Sequence, residues 1–294
     1  MTTVWRSLQY VPAHRDKHVT SSRLAQADGV ILDLEDAVPA EDKAAARKAL
    51  KSAVKVVGRW GADVLVRINA EPDLADADIA AAVAAGAVAL VVPKVESAND
   101  ILRLEPVIAA AERAAGREVG ATRLVVLIET ARGFLSMSAS LGASARIAAV
   151  NLGNEDFARD LGVEPSEELL TYPRQQMIIA AVAAGVLPLG LAGPATRFDD
   201  LDAYRRLAER SRRLGHVGAT CIHPDQIAVL NQVFAPSEAE VSEALAIVDA
   251  ARMAGKGAFA VNGRMIDKPV LSRAVGVLDR KSSIESKSKS SFNK

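Results

Sequence analysis

Short apolar runs alternate with longer alanine-rich stretches along most of the chain. The runs at 6–13, 29–35, 64–69, 89–95, 124–130, 147–153, 187–193 and 218–223 are nearly continuous, which predicts eight strands buried on both faces. Segments 41–59, 74–85, 98–115 and 200–214 are rich in alanine, leucine, glutamate and arginine and are long enough for helices. Eight strand–helix units in about 220 residues predict an α/β fold of the (β/α)8 TIM-barrel type, with a doubly wound open sheet as the alternative. Asp73 and Ser97 stand where helix N-caps belong, and Gly86, Gly116 and Gly185 where helices stop. After the eighth strand the alternation ends. Residues 237–254 read as one helix with a Ser237/Glu240 capping box, Gly255-Lys256-Gly257 breaks it, and an extended piece over 258–266 leads to a last helix ending near Leu278. The expected division is a barrel domain over 1–235, a C-terminal helical arm or lid over 236–280, and a serine- and lysine-rich disordered tail over 281–294.

Composition narrows the classes. Half of the 294 residues are apolar, enough for one large core without staples. Lysine plus arginine balance aspartate plus glutamate at 36 each, so no global basic field draws in nucleic acid. A single cysteine, Cys221, sits in a strand-like run and reads as a core thiol in a reducing compartment. No apolar run approaches the roughly 20 residues that span a bilayer, and no cationic leader precedes the first strand. A cytoplasmic protein without a membrane partner is expected.

The polar residues cluster at predicted strand ends, where barrel enzymes keep their chemistry. Leu32 to Val38 packs Asp33, Glu35 and Asp36 into four residues, and carboxylates so placed need a cation or several N–H donors to stay ionised. Arg67 and Asn69 end strand three, Lys94 strand four, Glu129 strand five and His223 strand eight, while Asp156 follows strand six; all are expected on one rim. Glu129 and Asp156 are the metal candidates, since two carboxylates without a Cys or His cluster suit a hard cation such as Mg2+. The alternative pairs each with a nearby arginine, Arg132 or Arg159. Arg67, buried in an apolar strand, must find an anion, either substrate or Asp33 and Glu35. Lys94 reads more readily as an ion-paired lysine than as a Schiff-base former, and His223 as a backbone-bonded histidine rather than a general base.

Together these motifs resemble a family. Arg6-Ser7-Leu8 with Val11-Pro12-Ala13, the Leu32-to-Val38 cluster, Arg67-Ile68-Asn69, Pro93-Lys94-Val95-Glu96, Leu127-Ile128-Glu129-Thr130, Gly153 to Asp156, Ile222-His223-Pro224-Asp225-Gln226-Ile227 and Met265-Ile266-Asp267 are similar, in order and spacing, to the citrate lyase β-subunit-like family. That group lies in the HpcH/HpaI aldolase superfamily and includes malyl-CoA and citramalyl-CoA lyases. The resemblance implies a Mg2+-dependent barrel, with Mn2+ as a substitute, that cleaves a 3-hydroxyacyl-CoA thioester to acetyl-CoA and a 2-keto acid by retro-Claisen chemistry. It implies Glu129 and Asp156 as metal ligands, with Glu129 also at the substrate, Arg67 as substrate anchor, and Glu35 and Asp36 as the polar network beneath. Asp267 would be the acid/base, presented from the lid, commonly to a neighbouring subunit of a homotrimer or hexamer. An acyl-carrier or lyase-complex partner is also implied for a citrate lyase subunit.

Two departures from the family pattern stand out. An aspartate is often found just after strand seven, where this chain has Leu187 to Gly193 with Gly190, and a Gly-Lys before strand eight, where it has Gly218-Ala219. Both spots are expected to border the site and to bear on the keto-acid half of the substrate. A CoA thioesterase, a pyruvate-class metal aldolase and a non-catalytic CoA-ester-binding paralogue are the competing readings.

Overall fold

Leu8, Ile31, Leu65, Val91, Val125, Leu127, Ala149 and Leu189 occupy alternate strand positions and are buried in one cluster. Their neighbours Val30, Leu32, Val64, Val66, Leu90, Val126 and Val150 face the other way and join a larger cluster with the helices. A strand buried on both faces needs this doubled cover, which is why the runs lack polar alternation. The structure, a computed structural model, describes residues 3–193, 199–254, 259–261 and 264–292. The strands are β1 (Ser7–Pro12), β2 (Gly29–Asp33), β3 (Asp63–Arg67), β4 (Ala89–Val92), β5 (Arg123–Ile128), β6 (Ile147–Leu152), β7 (Leu187–Leu189) and β8 (Ala219–Cys221). All run parallel in the order β7-β6-β5-β4-β3-β2-β1-β8, and a parallel bridge from Leu189 to Gly218 joins the two ends. The fold is a (β/α)8 barrel.

Helices α1 (Asp16–Val19), α2 (Lys43–Gly58), α3 (Pro72–Ala85), α4 (Ala98–Ala114), α5 (Ala131–Leu141), α6 (Asn154–Asp160), α7 (Glu167–Ala184), α8 (Leu201–Leu214) and α9 (Asp225–Val233) accompany the strands. Ser97 caps α4 through a capping box with Asp100, and Gly86 and Gly185 end α3 and α7 in the left-handed conformation. Asp73 is not a cap: Glu71 takes that position because Pro72, with its preset φ, occupies the first helical turn.

Beyond the barrel come α10 (Glu238–Ala254), a hairpin of β9 (Phe259–Val261) and β10 (Arg264–Ile266), and α11 (Lys268–Phe292). The Ser237/Glu240 capping box forms, with Ser237 N donating to Glu240 Oε2 at 2.7 Å and Glu240 N to Ser237 Oγ at 3.2 Å. The expected break at 255–257 lies outside the described residues. Residues expected to be disordered from Lys281 are helical instead, as α11 continues to Phe292. Tertiary bonds explain the difference: Arg280 Nη2 donates to Val217 O at 2.7 Å, and Lys287 Nζ to Val4 O at 2.9 Å and Asp63 Oδ2 at 2.6 Å. Val4, Asp63 and Val217 stand where strands begin, so α11 crosses the N-terminal mouth of its own barrel.

Candidate active site

The site is the upward continuation of the barrel's inner stripe. Side chains two apart on a strand share a face, so Leu8 leads to Tyr10, Ile31 to Asp33, Leu65 to Arg67, Leu127 to Glu129 and Ala149 to Asn151. All five polar residues, with Asp36, Asn154, Glu155, Asp156, Gly190, Tyr204, Cys221 and Gln226, line a cavity of about 490 Å3.

Arg67 is held on three sides. Its Nε meets Asp33 Oδ1 at 2.7 Å and Nη2 meets Asp33 Oδ2 at 2.6 Å, while Nη1 lies 2.9 Å from Glu35 Oε2 and 3.2 Å from Asp36 Oδ2. Tyr10 presents its ring 5.1 Å from the guanidinium carbon. Burial opposes the Arg67 charge, but the bond to Asp33 and the surrounding carboxylates outweigh it and raise the pKa. Burial likewise raises the Glu35 pKa against the pull of Arg67 and Lys94.

Glu129 is 3 % exposed, and Oε2 accepts from Lys94 N at 2.8 Å. Burial, then the Glu35 charge and Asp156, push its pKa up to about 7, against that one backbone N–H. Gly153 makes room for it, since a Cβ there would come 2.6 Å from Glu129 Cγ and 2.9 Å from Oε1. Lys94 is alone among the described non-glycine residues in having a positive φ, 51°. That conformation points its N–H at Glu129 while Nζ reaches Glu35 Oε1 at 2.9 Å. Asp156 Oδ1 pairs with exposed Arg159 at 2.7 Å, a surface contact of little strength.

Not every rim candidate faces the cavity. Asn69 is turned outward, its Nδ2 bonded to Asp78 of α3 at 2.6 Å and its Oδ1 accepting from Lys43. His223 pairs with Asp225 at 3.4 Å. Cys221 donates to Gln9 Oε1 at 3.2 Å, and burial pushes its thiol pKa far up. Gly190 lines the cavity with φ 145°, but Ala219, expected to border the site, is packed in the strand–helix layer. Asp267 is outside the cavity lining of its own chain: Oδ1 accepts from Val270 N at 3.1 Å at the start of α11. Tyr10, Asn151 and Tyr204 were not singled out from the sequence, and Asn154 and Gln226 stood there only as members of their motifs. Period-2 extension of the inner stripe would have found Tyr10 and Asn151.

Glu129 and Asp156 suit a hard cation. They face one cavity, their charges push against each other, and the carboxylate of Glu129 sits in a cradle that Gly153 leaves open. Among the described residues no group of three or more His, Cys, Asp or Glu is placed to enclose an ion. Two carboxylates are nevertheless a normal protein share for Mg2+, which takes its other ligands from water and substrate.

Comparison with known proteins gives the chain a family. Residues 6–224 match the model of the family described as HpcH/HpaI aldolase/citrate lyase. The chain is 33% identical over 279 residues to the citrate lyase subunit beta of Leuconostoc mesenteroides subsp. cremoris, covering 93% of this chain and 92% of that protein. It is 33% identical over 290 residues to an L-malyl-CoA/beta-methylmalyl-CoA lyase of Cereibacter sphaeroides, with 90% of each covered. A solved structure of the protein CitE from Mycobacterium tuberculosis, in complex with magnesium, acetoacetate and coenzyme A, superposes with a TM-score of 0.76 at 29% identity, over 96% of this chain and 100% of that one.

Proposed function

Because this chain belongs to the HpcH/HpaI aldolase/citrate lyase family, we propose that it is a Mg2+-dependent carbon–carbon lyase that cleaves a 3-hydroxyacyl-CoA thioester of the malyl, citramalyl or citryl type to acetyl-CoA and a 2-keto acid. The observation that carries the reading is Glu129: a buried acid on the inner stripe, short of donors and sharing a cavity with Asp156. Glu129 and Asp156 would hold the Mg2+, which when bound supplies Lewis acidity toward the substrate's carboxylate and hydroxyl oxygens.

The remaining work falls to the chain. The hydroxyl proton passes to solvent, the bond between C2 and C3 breaks, C3 becomes the keto carbon, and the electron pair passes to the thioester as an enolate. Arg67, which lines the cavity from within its carboxylate clamp, would steady the developing negative charge. Asp33, Glu35 and Asp36 keep that guanidinium in place, and Lys94 keeps Glu35 and Glu129 apart by bonding both. Asp267 delivers the proton that turns the enolate into the acetyl group. Since α11 crosses the far mouth of its own barrel, Asp267 would serve the cavity of a neighbouring subunit in a homotrimer or hexamer. A cytoplasmic location is part of this proposal. No helix among the described residues is long and apolar enough to cross a membrane.

The test is a panel of malyl-, citramalyl- and citryl-CoA with Mg2+. A keto acid plus acetyl-CoA is expected; a free hydroxy diacid plus CoA would make the protein a thioesterase, and no turnover would leave a CoA-ester-binding or acyl-carrier-dependent subunit. Asp267→Asn keeps the helix cap and removes the proton, so turnover should collapse with stability intact. Mixed oligomers of Asp267→Asn and Glu129→Ala should regain activity if the site is shared.

A further inference from the structure

The C-terminal arm is packed as a body of its own. Ala244 and Ile247 of α10, Ile266 of β10 and Ala274 of α11 form a small apolar core that shares no residue with the two clusters of the barrel. Both legs of the arm meet the barrel at its N-terminal mouth, and the β9–β10 hairpin and Asp267 lie at the other end. Asp267 is exposed, and among the described residues its carboxylate is bonded to Val270 N and to nothing outside the arm. Its place is therefore set from the base.

Three cations hold that base. Arg212 of α8 donates through Nη2 to both oxygens of Glu240, in the first turn of α10, at 2.8 and 2.9 Å. Arg280 of α11 reaches Val217 O, and Lys287 reaches Val4 O and Asp63 Oδ2. Trp5 Nε1 donates to that same Asp63 oxygen at 2.8 Å, so the end of α11 is tied to an indole buried in the barrel's inner cluster. Beside the Arg212–Glu240 contact a crevice of about 630 Å3, bordered by Arg205, Gln232 and Ser237, runs between α10 and the pair α8 and α9. A body joined by charged bonds across a crevice, with a core of its own, keeps its angle only as well as those bonds do.

The lever they hold is long. At about 1.5 Å per residue, Arg280 lies about 20 Å and Lys287 about 30 Å along α11 from Asp267. A tilt of about 3° at Arg280 moves Asp267 by about 1 Å, and a misplacement of that size costs on the order of 10²-fold in rate.

We propose that Arg212, Arg280 and Lys287 are positioning residues, a clasp that fixes the arm's angle at the N-terminal mouth of its own barrel and so places Asp267 in the cavity of a neighbouring subunit. The clasp acts from the end of the barrel opposite to the chemistry. This inference rests on the reading of Asp267 as the acid of a shared site, and the two fail on different observations.

The experiment uses the full-length oligomer. Arg280→Met with Lys287→Met should lower kcat by about 10²-fold with KM little changed, and Lys287→Arg should keep most of the rate. Should the double variant not fold, Lys287→Met alone is read in the same way, and an unchanged kcat overturns the proposal. The deciding arrangement is the mixed oligomer, where the working arm comes from the Glu129→Ala chain and the working cavity from the Asp267→Asn chain. Lys287→Met on the arm-giving chain should cut the regained activity by at least about tenfold, and on the cavity-giving chain should leave it. Loss from the cavity-giving chain, alone or equally with the other, would make Lys287 a brace of its own barrel and overturn the proposal. Unchanged turnover in Asp267→Asn, or no regained activity before Lys287 is altered, would remove the shared-acid reading and the lever's purpose with it. If no thioester is cleaved, a distance decides: nitroxides on Lys51→Cys of α2 and Arg252→Cys of α10, read by pulsed EPR with labelled subunits diluted among unlabelled ones, Cys221 being buried. Arg280→Met with Lys287→Met should shift or broaden that distance, and an unchanged distribution overturns the clasp.

Discussion

Two glutamates, one at each mouth of the barrel, are almost equally hidden from water and electrostatically opposite. Glu112, on α4 at the N-terminal mouth, receives Arg146 through both oxygens at 2.9 and 2.8 Å and the backbone N–H groups of Gly120 at 2.9 Å and Thr122 at 2.6 Å. Burial alone would raise its pKa, yet these donors outweigh it and bring it down to about 2. Glu129, at the C-terminal mouth, has one backbone N–H and two acidic neighbours, and stands at about 7. Burial therefore does not distinguish a structural acid from a functional one; the supply of donors does. Where the fold completes an acid it builds scaffold, and where it leaves one short it leaves room for a ligand.

The largest effect should come from the incomplete mouth. Glu129→Ala or Asp156→Ala should cost Mg2+-dependent turnover on the order of 10³-fold, beyond a single lost oxyanion donor, without loss of the fold. Calorimetry should find one Mg2+ bound by the wild type and none by the double variant; binding that survives would return Asp156 to its pairing with Arg159. At the complete mouth the reverse holds. Glu112→Gln strands the buried Arg146 charge with Glu105 as its remaining carboxylate, so stability should fall by about 3–5 kcal/mol while activity per folded molecule is kept.

The same pair should set opposite pH dependences. Glu112 has its folded pKa below the unfolded value near 4.5, so its contribution is whole above pH 4.5 and is lost as pH falls toward about 2. For Glu129 without metal the folded pKa lies above the unfolded one, so stability declines as pH rises from about 4.5 through about 7. Each of these contributions is worth about 3 kcal/mol. Denaturant unfolding in EDTA should show the alkaline-side loss in the wild type and not in Glu129→Gln, and Mg2+ should abolish it; an identical profile for the two proteins would mean that Glu129 is solvated after all.

Much of this contrast was legible before the fold. The eight apolar runs announce the barrel because doubly buried strands cannot afford polar alternation, and Glu129 and Arg67 stand out as charges inside such runs. Glu112 and Arg146 do not stand out, because a glutamate on an alanine-rich helix reads as solvated until its partner from another element is known. Arg174 is hidden for the same reason. Helical pattern gives no sign that it is buried, and that its Nη1 has no partner among the described residues is visible only in three dimensions. Composition misjudged the tail, since serine and lysine favour disorder unless a lysine such as Lys287 finds Asp63 far away in sequence.

Arginines provide the last and finest division between the mouths. Arg146 and Arg67 are both buried, both multiply paired and both held charged by neighbouring acids. Arg67 differs in lining the cavity, with Tyr10 against its face and Nη1 divided between Glu35 and Asp36. Lysine at either position keeps the charge but loses the planar fork that meets Asp33 or Glu112 with two bonds, so both variants should lose stability. Only at Arg67 should turnover of the folded protein fall as well, by about 10²-fold, because an ammonium cannot hold Asp33 and face a developing enolate together. The loss should appear in kcat with KM less affected, since the charge it meets develops in the transition state. If Arg67→Lys proves as silent in kcat as Arg146→Lys, Arg67 is scaffold, and the stabilisation of the enolate must come from the metal side of the cavity alone.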